Sequence, residues 1–133
     1  MNDIIIDSTG SPLGRIATFA AKQALLGKKV FVINCDDAVI TGKQHAILEV
    51  YKKKISRGGY SQKGPYISRT TDRIMRRTIR GMLPWNITRG REAYRRVKCF
   101  GEAPKEYAGA EKIIRLNKAK LPYISLARLA DIL

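Results

Sequence analysis

The chain has 133 residues, of which 44% are hydrophobic and 28% charged, with 26 Lys and Arg against 11 Asp and Glu for a formal charge of +15. That apolar content excludes a disordered basic tail, and the length predicts one domain over residues 1–133 that needs no disulfide or metal staple. So large an excess of one sign calls for a polyanionic partner, nucleic acid foremost.

Asp3–Asp7 reads as a short strand, its three consecutive isoleucines suited to a strand covered on both faces. Thr9-Gly10-Ser11-Pro12 is turn chemistry, with Ser11 the expected N-cap and Pro12 in the first helical turn. Leu13, Ile16, Ala17, Ala20 and Ala24 fall on one helical face, and Gly27 is placed to end that helix. Lys29–Cys35 is a second buried strand. Strand, helix and strand make a βαβ unit with parallel strands.

Ala38–Ile40 adds a brief extended piece. Thr41-Gly42-Lys43 opens a second helix with Ala46, Ile47, Val50 and Tyr51 on one face. Its end, Lys52-Lys53-Lys54, puts cations where the helix dipole favours them. From Ile55 to Pro65 the periodicity dissolves into a Gly-broken basic loop. A third helix begins near Thr70–Thr71, with Met75, Ile79, Met82 and Leu83 as its apolar stripe, and Leu83-Pro84-Trp85 breaks it. A fourth short helix covers Arg89–Arg96 and Val97–Phe100 reads as a strand. The tail 105–133 has no evident domain of its own beyond a capped helix over Ser125–Leu133.

Charge is distributed unevenly over these elements. Residues 52–98 hold fifteen Lys or Arg and two acids, Asp72 and Glu92, whereas residues 1–51 hold five of each sign. Arg69, Arg73, Arg76, Arg77 and Arg80 recur at helical spacing. A solvated helix face normally mixes signs, because like charges at i,i+4 repel. A phosphate backbone along that face would relieve the repulsion, and Arg suits bidentate phosphate contacts. Lys52, Lys53, Lys54, Arg57 and Lys63 are expected to order on RNA at the loop. Arg89, Arg91, Arg95 and Arg96 are expected to extend the footprint. Replacing Arg76 and Arg77 with Ala should flatten the salt dependence of binding by about one to two units and leave the fold intact. Tyr60, Tyr66, Trp85 and Tyr94 lie among these bases, a placement that suits stacking on unpaired bases and equally suits core or hinge residues.

Catalytic chemistry is harder to assemble. Gly10–Arg15 lacks the spacing of a dinucleotide fingerprint, and Thr41-Gly42-Lys43-Gln44 lacks the upstream Gly and the hydroxyl of a phosphate loop. His45 is the sole imidazole and is expected at the surface. Asp36-Asp37 suits capping, and Cys35 and Cys99 are expected to be free, buried thiols. No catalytic residue, cofactor or metal site is predicted. Neither a membrane span nor a secretory signal is visible.

From Ile79-Arg80-Gly81-Met82-Leu83-Pro84 onward, the chain resembles the family of the thirteenth protein of the large ribosomal subunit, in its archaeal or eukaryotic form. The likeness continues through Gly90-Arg91 and Val97-Lys98-Cys99-Phe100, although the family's Gly two positions past the aromatic is Glu102 here and the Gly is Gly101. Leu13-Gly14-Arg15, Ala21-Lys22-Gln23, Gly27–Val30 and Gly64-Pro65-Tyr66 also match, so the resemblance spans roughly residues 3–104. It implies a three-layer α/β/α fold with a small, mostly parallel sheet of about four strands. It also implies binding to large-subunit rRNA beside neighbouring ribosomal proteins, a part in subunit assembly, a cytoplasmic location and no enzymatic activity. Two alternatives stand beside it. An RNA-acting enzyme on a doubly wound core would need a nucleotide or methyl-donor site at a strand end. A regulatory RNA binder would act off the ribosome.

Overall fold

The computed structural model describes residues 3–57, 67–102, 104–105 and 122–133. Lys63, Tyr60, Tyr66 and most of the Ile55–Pro65 loop lie outside the described residues, as does the stretch between Glu106 and Leu121.

Strand β1 (Ile4–Asp7) leads into helix α1 (Leu13–Leu25), which returns to strand β2 (Val30–Ile33). The two strands pair in parallel with Ile4 opposite Val30 and Asp7 opposite Ile33, as the βαβ pattern requires. Strand β3 (Val39–Thr41), helix α2 (Gln44–Ser56), helix α3 (Thr71–Gly81), helix α4 (Thr88–Arg95) and strand β4 (Val97–Cys99) follow. Strand β4 joins the other edge of β2 in parallel, with Val97 opposite Val30 and Cys99 opposite Val32, so the sheet order is β1-β2-β4. Strand β5 (Tyr123–Ser125) and helix α5 (Leu126–Ile132) close the chain.

The mixed α/β arrangement, five helices around a small and mostly parallel sheet, agrees with a three-layer α/β/α fold. The core explains it. Ile4, Ile6, Val30, Val32 and Val97 point from the sheet into the apolar faces of α1, α3 and α5, where Ile16, Ala20, Met75, Ile79 and Leu129 are buried. The alternate β2 residues Phe31 and Ile33 are also buried, so the continuous apolar run reflects a strand covered on both faces.

The strand ends are tied together by side chains. The Asp7 carboxylate accepts hydrogen bonds from Thr9 N (3.0 Å), Thr9 Oγ1 (2.7 Å) and Asn34 Nδ2 (3.1 Å). Asn34 adopts a left-handed conformation at φ 57°, which Asn tolerates better than most residues. A 3-10 turn at Cys35–Asp37 follows.

Several sequence expectations are corrected. Ser11 does not cap α1; its hydroxyl donates to Thr9 O, and Pro12 takes the N-cap position without a side-chain cap. On α2, Ala46 and Val50 face outward, while Ile47, Leu48 and Tyr51 pack on the core. The bulkier side chains win the buried side. On α3, Ile74 joins Met75 and Ile79 as buried, and Met82, beyond the helix end, is exposed. Cys99 is half-buried rather than buried, although both thiols are free.

The largest addition comes from the tail. Strand β5 pairs antiparallel with β3, Ile124 opposite Ile40. Ile124, Leu126 and Leu129 enter the core. The Ser125 hydroxyl caps α5 by accepting from Arg128 N at 3.3 Å.

Candidate nucleic-acid interface

Helix α3 carries four arginines and one acid, Asp72. Its apolar side is held by Ile74, Met75 and Ile79. With 3.6 residues per turn, Arg73, Arg77 and Arg80 fall on the opposite stripe, and all three are exposed. Arg69, just before the helix, is exposed as well. The helix therefore presents a fixed row of cations, its position set by burial on the far side.

Arg76 departs from that row. It is half-buried, its guanidinium carbon stands 4.5 Å from the centre of the Tyr94 ring, and its Nε is buried without a hydrogen-bond partner. Two other predicted contact residues hydrogen-bond to the protein itself, Arg96 half-buried and Arg91 still exposed. Arg96 donates from Nη1 to Ala24 O at 3.0 Å, a carbonyl at the C-terminal end of α1 that also accepts from Gly27 N at 3.1 Å. Arg91 donates from Nε to Trp85 O at 2.9 Å and from Nη2 to Asn86 O at 3.3 Å. Arg76 and Arg96 brace the elements from which the others project, and Arg91 ties down the turn after α3 while remaining exposed. Sequence alone gave no signal for these roles, because their partners lie on other elements or in an irregular turn.

Lys52, Lys53, Lys54 and Arg57 are exposed along the end of α2, with the Lys54 ammonium 5.0 Å from the Tyr51 ring centre. Lys54 and Arg77 meet at a cleft of about 420 Å³ between α2 and α3, floored by Leu13, Ile40 and Ile74. Lys54 near the end of α2 and Arg77 on α3 thus line one cleft, although they are distant in sequence. Arg89 and Arg95 are exposed on α4. Arg89 shares a second groove with Lys22 of α1, a cation that the near-neutral N-terminal third did not single out.

The residues weighed for catalysis are placed otherwise. His45 is exposed on α2. Asp36 accepts a hydrogen bond from Thr71 Oγ1 at the start of α3. Among the described residues no group of three or more His, Cys, Asp or Glu could hold a metal ion, and no helix is long and apolar enough to cross a membrane.

Residues 2–106 match the family model of ribosomal protein L13. A large ribosomal subunit protein uL13 from Archaeoglobus fulgidus is 47% identical over 107 residues, covering 80% of this chain and 68% of that protein. The uL13 of Methanocaldococcus jannaschii is 39% identical over 130 residues, covering 95% and 93%. That of Natronomonas pharaonis is 38% identical over 130 residues, covering 97% and 89%. The chain belongs to the ribosomal protein L13 family.

Proposed function

We propose that this chain is a structural, non-enzymatic protein of the cytoplasmic large ribosomal subunit. It holds large-subunit rRNA against α2, α3 and α4 beside neighbouring subunit proteins, and aids assembly of the subunit. What supports this most is the exposed stripe of Arg73, Arg77 and Arg80 on a helix anchored by its buried side. Like charges so aligned repel one another. Phosphates along the stripe convert that repulsion into attraction and release counterions.

Arg69, Lys52, Lys53, Lys54, Arg57, Arg89 and Arg95 extend the same surface, and Lys63 belongs to it on charge alone. Arg76 and Arg96 position it from beneath, and Arg91, exposed, holds the turn after α3 and remains part of the surface. The names of the relatives carry no enzyme activity, and the enzyme alternative finds no support in them.

The test is binding to purified large-subunit rRNA and to an unrelated structured RNA of equal length, across a salt series. Preference for the rRNA surviving at about 0.2–0.3 M salt, where phosphate contacts alone have lost most of their strength, supports a specific ribosomal site. Equal affinities that collapse together would reduce the surface to a generic polyanion binder.

A further inference from the structure

The turn after α3 builds a small cleft that phosphate neutralisation alone does not require. Arg77, Arg80, Gly81, Leu83 and Trp85 enclose about 330 Å³ of open space. Leu83 is buried and Trp85 is 38% exposed. The Arg80 guanidinium carbon lies 4.2 Å from the Trp85 ring centre. Behind it, Trp85 meets Tyr94 edge to face at 5.3 Å and 81°, and Tyr94 rests on Arg76. Four side chains are thus stacked in series, a cation at each end and two aromatic rings between them.

Several contacts hold this arrangement. Two hydrogen bonds from Arg91 grip the carbonyls of Trp85 and Asn86. Ile87 N donates to Pro84 O at 3.1 Å. The turn packs so closely on α4 that Gly90 leaves no room for a Cβ. A large aromatic is thus held partly in water with one cation, Arg80, on its ring and a second, Arg77, lining the same cleft, and among the described residues no acid lines it.

We propose that this cleft takes a single unpaired RNA nucleotide, its base stacked on the Trp85–Arg80 surface and its phosphate against Arg77. The inference rests on the rRNA-binding reading above and adds to it the kind of RNA element bound. Planar guanidinium and indole groups stack on base faces. A paired base hides its faces in the helix and exposes only edges, which a tryptophan ring cannot stack on. An apolar anchor from a protein would leave both arginines without a counter-charge. That favours a nucleotide.

Trp85 is the single tryptophan, so its fluorescence reports on the cleft. The intact chain is titrated with large-subunit rRNA, with a short single-stranded RNA and with a blunt duplex, and Trp85→Leu and Arg77→Ala are compared across a salt series. Circular dichroism confirms that each variant is folded. The proposal expects quenching by rRNA and by the single strand but not by the duplex. It expects Trp85→Leu to weaken rRNA binding about tenfold at every salt concentration without changing the slope. Arg77→Ala should flatten the slope instead. Wild-type binding to rRNA with unperturbed Trp85 fluorescence, or Trp85→Leu binding within twofold of wild type, overturns the cleft assignment and leaves it to a protein neighbour, while the rRNA-binding reading stands. Failure of the wild-type chain to prefer rRNA removes both.

Discussion

The central carbon of the Arg76 guanidinium stands 4.5 Å from the centre of the Tyr94 ring, with its Nε sealed from water. Arg76 and Arg77 are neighbours in sequence but project about 100° apart on the helix, and they do different work. Arg76→Ala removes a cation–π contact and the packing of a long aliphatic stem, a loss of about 1–2 kcal/mol of stability. Arg76→Met should recover most of it, since it keeps the stem and removes the unpartnered Nε. Arg77→Ala should leave stability within about 0.5 kcal/mol and flatten the salt slope of RNA binding by about one unit. Urea denaturation and RNA titration of the three variants separate the roles. Joint replacement should therefore leave the chain folded but less stable, the loss coming from Arg76 and not from Arg77.

A Cβ on Gly90 would lie 2.0 Å from Pro84 O and 2.5 Å from the same carbonyl carbon. Backbone on backbone has no rotamer to give, so the turn or α4 must shift. Gly90→Ala should cost about 2–3 kcal/mol and change the fluorescence of Trp85, which the same turn carries. Gly14, within α1, meets nothing within 4 Å. Gly14→Ala should instead stabilise by about 0.5–1 kcal/mol, as Ala for Gly does inside a helix. Thermal unfolding of the two variants gives opposite signs if the contact with Pro84 is what matters.

The legible parts of the chain are those whose signals are local. Ile4–Ile6 and Val30–Ile33 are uninterrupted apolar runs, and Leu13 to Ala24 repeats at helical period, so the βαβ unit could be read directly. Helix α2 offered two overlapping stripes, and only packing chose Ile47, Leu48 and Tyr51 over Ala46 and Val50. Strand β5 has one buried residue in three. It exists because β3 supplies partners and because Gly42 N and Leu126 N bond to Pro122 O (2.7 Å) and Ala38 O (2.9 Å), none of which is visible in Tyr123-Ile124-Ser125 itself. The same division holds at the interface. The density of positive charge was plain, but the half-burial of Arg76 and Arg96 and the hydrogen bonds that hold the exposed Arg91 depend on tertiary partners.

Alkaline pH should weaken the fold before it affects RNA-facing arginines. The Cys99 thiol is held well above its ordinary value of 9.0 by a hydrogen bond with the Cys35 side chain, and secondarily by burial. Burial also raises the Tyr51 hydroxyl above 10.0. Each group stays protonated in the fold after it ionises in the unfolded chain, so the unfolded state binds fewer protons and stability falls as pH rises. The contribution is intact below pH 9.0 and declines above it, by at most about 1.4 kcal/mol per pH unit for each group. Urea denaturation under reducing conditions at neutral and alkaline pH should show that decline. Cys99→Ala should make it shallower.

The last residues of the chain belong to the core. Leu126 and Leu129 are fully buried, and Ile124 nearly so. Helix α5 packs against the Cys35–Asp37 turn and against α3, the helix that carries the arginine stripe. A helix of seven residues is too short to persist alone, so its order comes from that packing. Leu129→Ala opens a cavity and should cost about 2–4 kcal/mol. Asp131→Ala, on the exposed side of the same helix, should cost little. If α5 is what supports α3 from within, Leu129→Ala should also speed hydrogen exchange of the α3 amides, which Asp131→Ala leaves unchanged. Equal exchange in both variants would mean that α3 holds its arginines in place without the C-terminal segment.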